Sequence, residues 1–221
     1  MYTILTSITL QLVSALLGLT AALQSTILTL EATQGTIATT TIQAITTTPD
    51  NEPEQPVVFD VPFFSQFYDI SSPTWRKVGC GVASLAMLID FYEPNNVSVD
   101  VLLSEGIAEG AYAAGAGWVH SGLARLADEH GLWGMNYDLS SSNMQIAFAQ
   151  FENALKNGPV MASVHYTFDP KNPIPHLVVM TGEDGDMLFY NDPAGTSDGG
   201  SISKDAFKLA WKKRYIEVRP I

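Results

Sequence analysis

The chain's single cysteine lies in Gly79-Cys80-Gly81, directly before an apolar run from Val82 to Tyr92 that only Ser84 and Asp90 interrupt. If a helix begins here, its unpaired N–H groups and dipole favour a negative charge on the sulfur. A thiolate is a nucleophile toward a carbonyl carbon, and its chemistry needs a base and a group that orients that base. His176 and Asp192 fit those parts. Thr181-Gly182-Glu183-Asp184-Gly185-Asp186 reads as a hairpin turn, and a loop of Glu183 to Gly185 sets His176 opposite Asp192, Val178 opposite Tyr190 and Met180 opposite Leu188. A carboxylate beside the imidazole fixes its tautomer and stabilises the imidazolium. Two substitutes stay open: His165 as base, and Asn191 as orienting group, although alternation puts Asn191 on the opposite face from Asp192. By spacing alone the trio is weak, because a Cys with a distant His and Asp occurs in many chains by chance, and a lone cysteine without further context is more readily a small buried hydrophobe.

The elements that must carry these residues divide the chain. A helix apolar on all sides is buried on all sides, so Val82 to Tyr92 is the expected central helix. Gly79 and Gly81 leave room for another backbone to approach the sulfur. Val57 to Phe64 reads as an edge strand, since Pro62 has no N–H for a ladder. Ser98 is placed to cap a short helix to about Glu105, and Gly110 to Gly117 reads as a loop. Helices follow at Val119 to His130, stopped by Gly131, and at Asn143 to Lys156, ended by Gly158-Pro159. Strands then run Val160 to Tyr166, His176 to Thr181 and Met187 to Asp192, followed by a helix from Ser203 to Lys213 and a strand from Tyr215 to Val218. Helices first and antiparallel strands after them make an α+β fold.

Of the remaining histidines, His120 and His130 sit on or beside a helix as surface or capping residues. Arg76 and Lys77 are a solvated basic pair or an aid to the thiolate, and Trp133 is a packing residue. No HExxH or CxxC spacing occurs, and Glu183-Asp184-Gly185-Asp186 reads as a solvated turn, so neither a metal nor a cofactor is called for.

A net charge of −12 argues against nucleic acid and against adhesion to an anionic membrane surface. With 46% hydrophobic residues in a chain of 221, a sound core is available. One cysteine excludes an internal disulfide. Ile4 to Leu30 carries no charge, and residues 1–23 read as a signal peptide or a membrane anchor. Residues 24–56, rich in Thr and Pro and without an aromatic, read as a disordered tether. Either reading of the first segment puts residues 57–221 outside the cytoplasm, with membrane contact only through the N-terminal segment.

The order Val61-Pro62-Phe63-Phe64-Ser65-Gln66, Trp75, Gly79-Cys80-Gly81-Val82-Ala83-Ser84-Leu85-Ala86-Met87, His176-Leu177-Val178-Val179-Met180-Thr181-Gly182 and Asn191-Asp192-Pro193-Ala194 resembles cysteine-peptidase family thirty-nine, the bacteriocin-processing, double-glycine branch of the papain-like peptidases. Gly117-Trp118, Asn157-Gly158-Pro159-Val160 and the closing Phe207 and Trp211 segment extend the likeness from Val57 to the end. The resemblance implies a papain-like fold with N-terminal helices packed on a C-terminal antiparallel sheet. It also implies Cys80 as nucleophile, His176 as general base and acid, Asp192 as orienting group and Gln66 with the Cys80 N–H as oxyanion donors. Gly79, Gly81, His165 and Trp118 are the expected substrate-groove residues, with packing as the other role for Trp118. Pro175 stands where relatives commonly have glycine, and no transporter portion is attached, so the leader-cutting role does not carry over. The expected activity is peptide hydrolysis by an exported or membrane-tethered enzyme, with a cell-wall peptide amidase or a silent binding domain on a stalk as alternatives.

Overall fold

The structure is a computed structural model that describes residues 55–221. The signal or anchor expected at residues 1–23, and all but the end of the tether at residues 24–56, lie outside the described residues. No helix among the described residues is long and apolar enough to cross a membrane.

The chain runs β1 (Val57–Val58), α1 (Pro73–Arg76), α2 (Cys80–Tyr92), α3 (Val99–Ala108), β2 (Tyr112–Ala113), β3 (Gly117–Trp118), α4 (His120–Glu129), β4 (Leu132–Asp138) and α5 (Met144–Lys156). It continues through β5 (Val160–His165), a 3-10 turn (Tyr166–Phe168), β6 (Pro175–Asp184), β7 (Met187–Asn191), β8 (Gly200–Ser203), α6 (Lys204–Ala210) and β9 (Trp211–Pro220). One antiparallel sheet has the order β4-β9-β5-β6-β7-β8, with β1 added to β6, while β2 and β3 form a separate small ribbon.

Apolar residues on both faces of the central strands explain why helices cover the sheet on two sides. Residues Gly81 to Ile89 of α2 are all buried. They share one core with Leu102, Leu123 and Leu126 from α3 and α4 and with Met161, Leu177, Val179, Ile216 and Val218 from the sheet. The alternate sheet residues Val160, Ala162, Val164, Val178, Met180 and Tyr215 form a second core with Phe148, Phe151 and Leu155 of α5 and Phe207 of α6. The α+β class is therefore as expected, but α5 and α6 face the second core rather than joining the helices that lead the chain.

Local chemistry sets several boundaries. The Asn143 side chain accepts from Ile146 N at 2.9 Å and the Ser203 hydroxyl from Ala206 N at 3.2 Å, capping α5 and α6. Gly131, with φ 79, ends α4 in the left-handed region. Ser98 stands before α3 but makes no side-chain cap, and the helix runs past Glu105 to Ala108.

Other expectations need correction. The edge strand is only β1, although Phe59 N still donates to Thr181 O at 2.8 Å. The Gly110–Gly117 loop contains β2 and reaches into β3. The final helix stops at Ala210 and turns straight into β9, which is longer than the expected Tyr215–Val218. The β6–β7 hairpin closes over Gly185-Asp186, since Asp184 pairs with Met187, and a register shift lies between Met180 and Gly182. Met180 consequently faces Tyr190 and Val179 faces Asn191, so His176 and Asp192 are not cross-strand partners.

Candidate active site

Cys80 is the first residue of α2 and is half-buried. Its N–H is among the helix-terminal donors that have no partner within the helix. The glycines beside it hold the helix end in place by their smallness. A Cβ on Gly79 would come within 2.2 Å of Ile70 Cδ1, and one on Gly81 within 2.4 Å of Trp118 Cγ. At both glycines the place where a Cβ would sit is filled by those side chains.

His176, near the start of β6, is 4% exposed. Its Nε2 lies 2.6 Å from Asp192 Oδ1, which leaves Nδ1 as the nitrogen for Cys80, with which the imidazole is also hydrogen-bonded. Burial pulls the imidazole pKa down. The hydrogen bonds to Asp192 and Cys80 and the negative charge of both partners more than offset this, raising it to about 9. Asp192 Oδ1 also accepts from Ala194 N at 2.8 Å, so its position is set by the turn that follows β7. Asn191 faces elsewhere: its amide donates to Val61 O at 3.0 Å and accepts from Gly199 N at 3.1 Å.

Gln66 is 4% exposed. Its Nε2 donates to Arg76 O at 2.8 Å, which uses one of its two protons, and its backbone N–H donates to Pro193 O at 2.8 Å. The loop bearing Gln66 is thereby fastened to the turn bearing Asp192.

Gln66, Cys80 and His176 line one cleft of about 510 Å³, with Phe67, Lys77, Tyr112, Trp118, Tyr166, Ile174 and Pro175 among its other walls. Trp118 is fixed by a 2.6 Å bond from its Nε1 to Val78 O. His165 is not in this cleft: its Nδ1 meets Asn172 O at 2.6 Å, tying down the loop between β5 and β6. His120 does line the cleft, contrary to the expected surface role, and its pKa is lowered by burial first and by Arg214, against an opposing effect of Asp138. His130 pairs with Glu105 at 2.8 Å. Arg76 donates to Ile70 O at 2.7 Å, while Lys77 remains exposed at the cleft. Tyr166, whose ring lies edge-on to His176 at 5.0 Å, carries no sequence signal that singles it out, since only the fold brings the end of β5 beside the start of β6. Among the described residues no cluster of His, Cys, Asp or Glu is suited to hold a metal ion.

A cysteine heading a buried central helix, beside a histidine on an antiparallel sheet, defines a papain-like cysteine peptidase. Residues 58–218 match the Peptidase_C39 like family, and the chain belongs to that family. Among solved structures, it is similar to a putative C39-like peptidase from Bacillus anthracis, with 20% identity over 76% of this chain and 99% of the other and a TM-score of 0.58. It is also similar to a double glycine motif protease from an AMS/PCAT transporter, solved in complex with the leader peptide, with 21% identity over 76% and 99% of the two chains and a TM-score of 0.50. The peptidase domain of Streptococcus ComA, a bifunctional ABC transporter in quorum sensing, is 19% identical over 66% and 93% of the chains, with a TM-score of 0.50. No curated protein matches the chain.

Proposed function

We propose that this cysteine peptidase cleaves peptide bonds outside the cytoplasm with Cys80 as nucleophile, His176 as general base and acid, Asp192 as orienting group and Gln66 as oxyanion donor. The observation that carries this reading is the placement of His176 between Cys80 and Asp192 in an open cleft. The Cys80 thiolate attacks the carbonyl carbon, and the developing oxyanion is met by the Cys80 N–H and the remaining Gln66 Nε2 proton. As the C–N bond breaks, His176 gives its proton to the leaving amine and a thioester remains. His176 then takes a proton from water, whose oxygen attacks the thioester, and the thiolate leaves. Throughout, Asp192 keeps Nε2 engaged and Nδ1 facing the sulfur.

The double-glycine protease neighbour was solved with a leader peptide, which supports a peptide as the substrate class. The uncharged segment Ile4 to Leu30 supports export or tethering. Hydrolysis of a peptide library by the wild type, lost in Cys80→Ala and His176→Ala variants that keep the native thermal unfolding, is the expected result. Undiminished hydrolysis in folded Cys80→Ala would overturn the assignment.

A further inference from the structure

The turn after β5 combines two features that ordinary loop packing does not require. Thr167 and Phe168 both have positive φ, 58 and 54, and neither is glycine. For a β-branched or bulky residue this backbone region is a true outlier, held only when its surroundings over-determine it. Those surroundings are visible. Tyr166 N donates to Ile174 O at 3.0 Å, and Asp169 N donates back to Tyr166 O at 3.3 Å. The Phe168 ring meets the Tyr190 ring at 4.6 Å, and Tyr190 lies two positions before Asp192 on β7.

The left-handed pair turns successive aromatic rings toward different partners. Tyr166 goes to the cleft, where its ring stands edge-on to His176 at 5.0 Å and 86°. Phe168 goes to the strand that leads to Asp192. We infer that the Tyr166–Phe168 turn is a clamp on the catalytic histidine, with Tyr166 as a positioning residue whose ring holds the imidazole in line between Cys80 and Asp192. This rests on the proposed role of His176. The charged groups that act on the imidazole are Asp192 and Cys80, so tilting the ring weakens both contacts together. The ring, and not its hydroxyl, carries the effect.

The test compares Tyr166→Phe, Tyr166→Leu and Tyr166→Ala by two readouts: kcat and KM on a cleaved peptide, and the pH profile of Cys80 alkylation by iodoacetamide. A misplaced catalytic group lowers turnover by about tenfold to a hundredfold. Tyr166→Ala and Tyr166→Leu should show a loss on that scale in kcat with KM little changed, and their alkylation profiles should shift, while Tyr166→Phe retains wild-type behaviour in both. If Tyr166→Ala fails to fold, the leucine variant decides the matter. A wild-type alkylation profile in a folded variant, a defect confined to KM, or an equal defect in Tyr166→Phe would each overturn the clamp. Alkylation needs no substrate, so a wild type that cleaves no peptide yet shows the Tyr166-dependent profile would count against the proposed hydrolysis and leave the clamp standing.

Discussion

The 2.6 Å bond between His176 Nε2 and Asp192 Oδ1 joins two residues that the β6–β7 ladder does not pair. Asp192 lies one position past the end of β7, and its carboxylate is aimed by the Ala194 N–H instead of by cross-strand register. The group proposed to orient His176 is thus placed by a turn, so its removal should separate from loss of the sheet.

Asp192→Asn keeps an oxygen for both His176 Nε2 and Ala194 N but removes the charge, whereas Asp192→Ala removes both. Expected is a lower kcat/KM in each, deeper in the alanine variant, with near-wild-type unfolding temperature. Asn191→Leu should do the reverse: it orphans the buried Val61 carbonyl, costing about 1–3 kcal/mol of stability, and frees the exposed Gly199 N–H to water, while the thiol of the folded fraction reacts normally. Thermal unfolding beside iodoacetamide kinetics measures both.

Gln66→Ala should lower kcat by about a hundredfold or more, the typical effect of removing one oxyanion donor. Alkylation of Cys80, which forms no oxyanion, should be little affected. Equal losses in both assays would mean that Gln66 acts on the thiolate instead.

The pH dependence follows from His176, whose folded pKa of about 9 lies above the ordinary 6.5. Proton binding by a raised group favours the folded state, so this contribution is fully present below 6.5 and is lost as pH rises through about 9. The stability difference between wild type and His176→Gln, followed by denaturant unfolding at alkaline pH, should shrink over that window. The alkaline limb of kcat/KM should fall near pH 9 as the imidazolium is lost.

Gly81→Ala puts a methyl into the buried Trp118 ring, 2.4 Å from Cγ. Overpacking of this kind destabilises by about 1–3 kcal/mol. Because Trp118 is bonded to Val78 O two residues before Cys80, the variant should also lose activity beyond its loss of stability. Circular dichroism melts and kcat/KM of the folded enzyme check the two effects.

The central helix, α4, α5 and the central strands were legible because long runs of periodic or continuous apolar residues leave few alternatives, and Asn143 and Gly131 mark boundaries by their own chemistry. β4 was not, since its pattern is inverted. Trp133 and Met135 are exposed, while Gly134 lies so close to α4 that a Cβ would come within 2.1 Å of Ala124 O. Alternation alone misplaces the hairpin register, because the shift between Met180 and Gly182 moves the pairing. The expected His176–Asp192 contact nonetheless forms, through the turn that aims Asp192 and not through cross-strand pairing. His165, anchored to Asn172, and Tyr166, beside His176, are adjacent in sequence, and only the course of the β5–β6 loop distinguishes them.

β9, the last strand in sequence, lies inside the sheet, with β4 on one edge and β5 on the other. Until residues 211–220 arrive, β5 has an unpaired border and β4 has no neighbour at all. The strand that supports β6, and through it His176, is therefore completed last by a pairing of high sequence separation, a slow step in folding. A partly synthesised chain therefore has Cys80 and its helix long before it has a finished scaffold for His176.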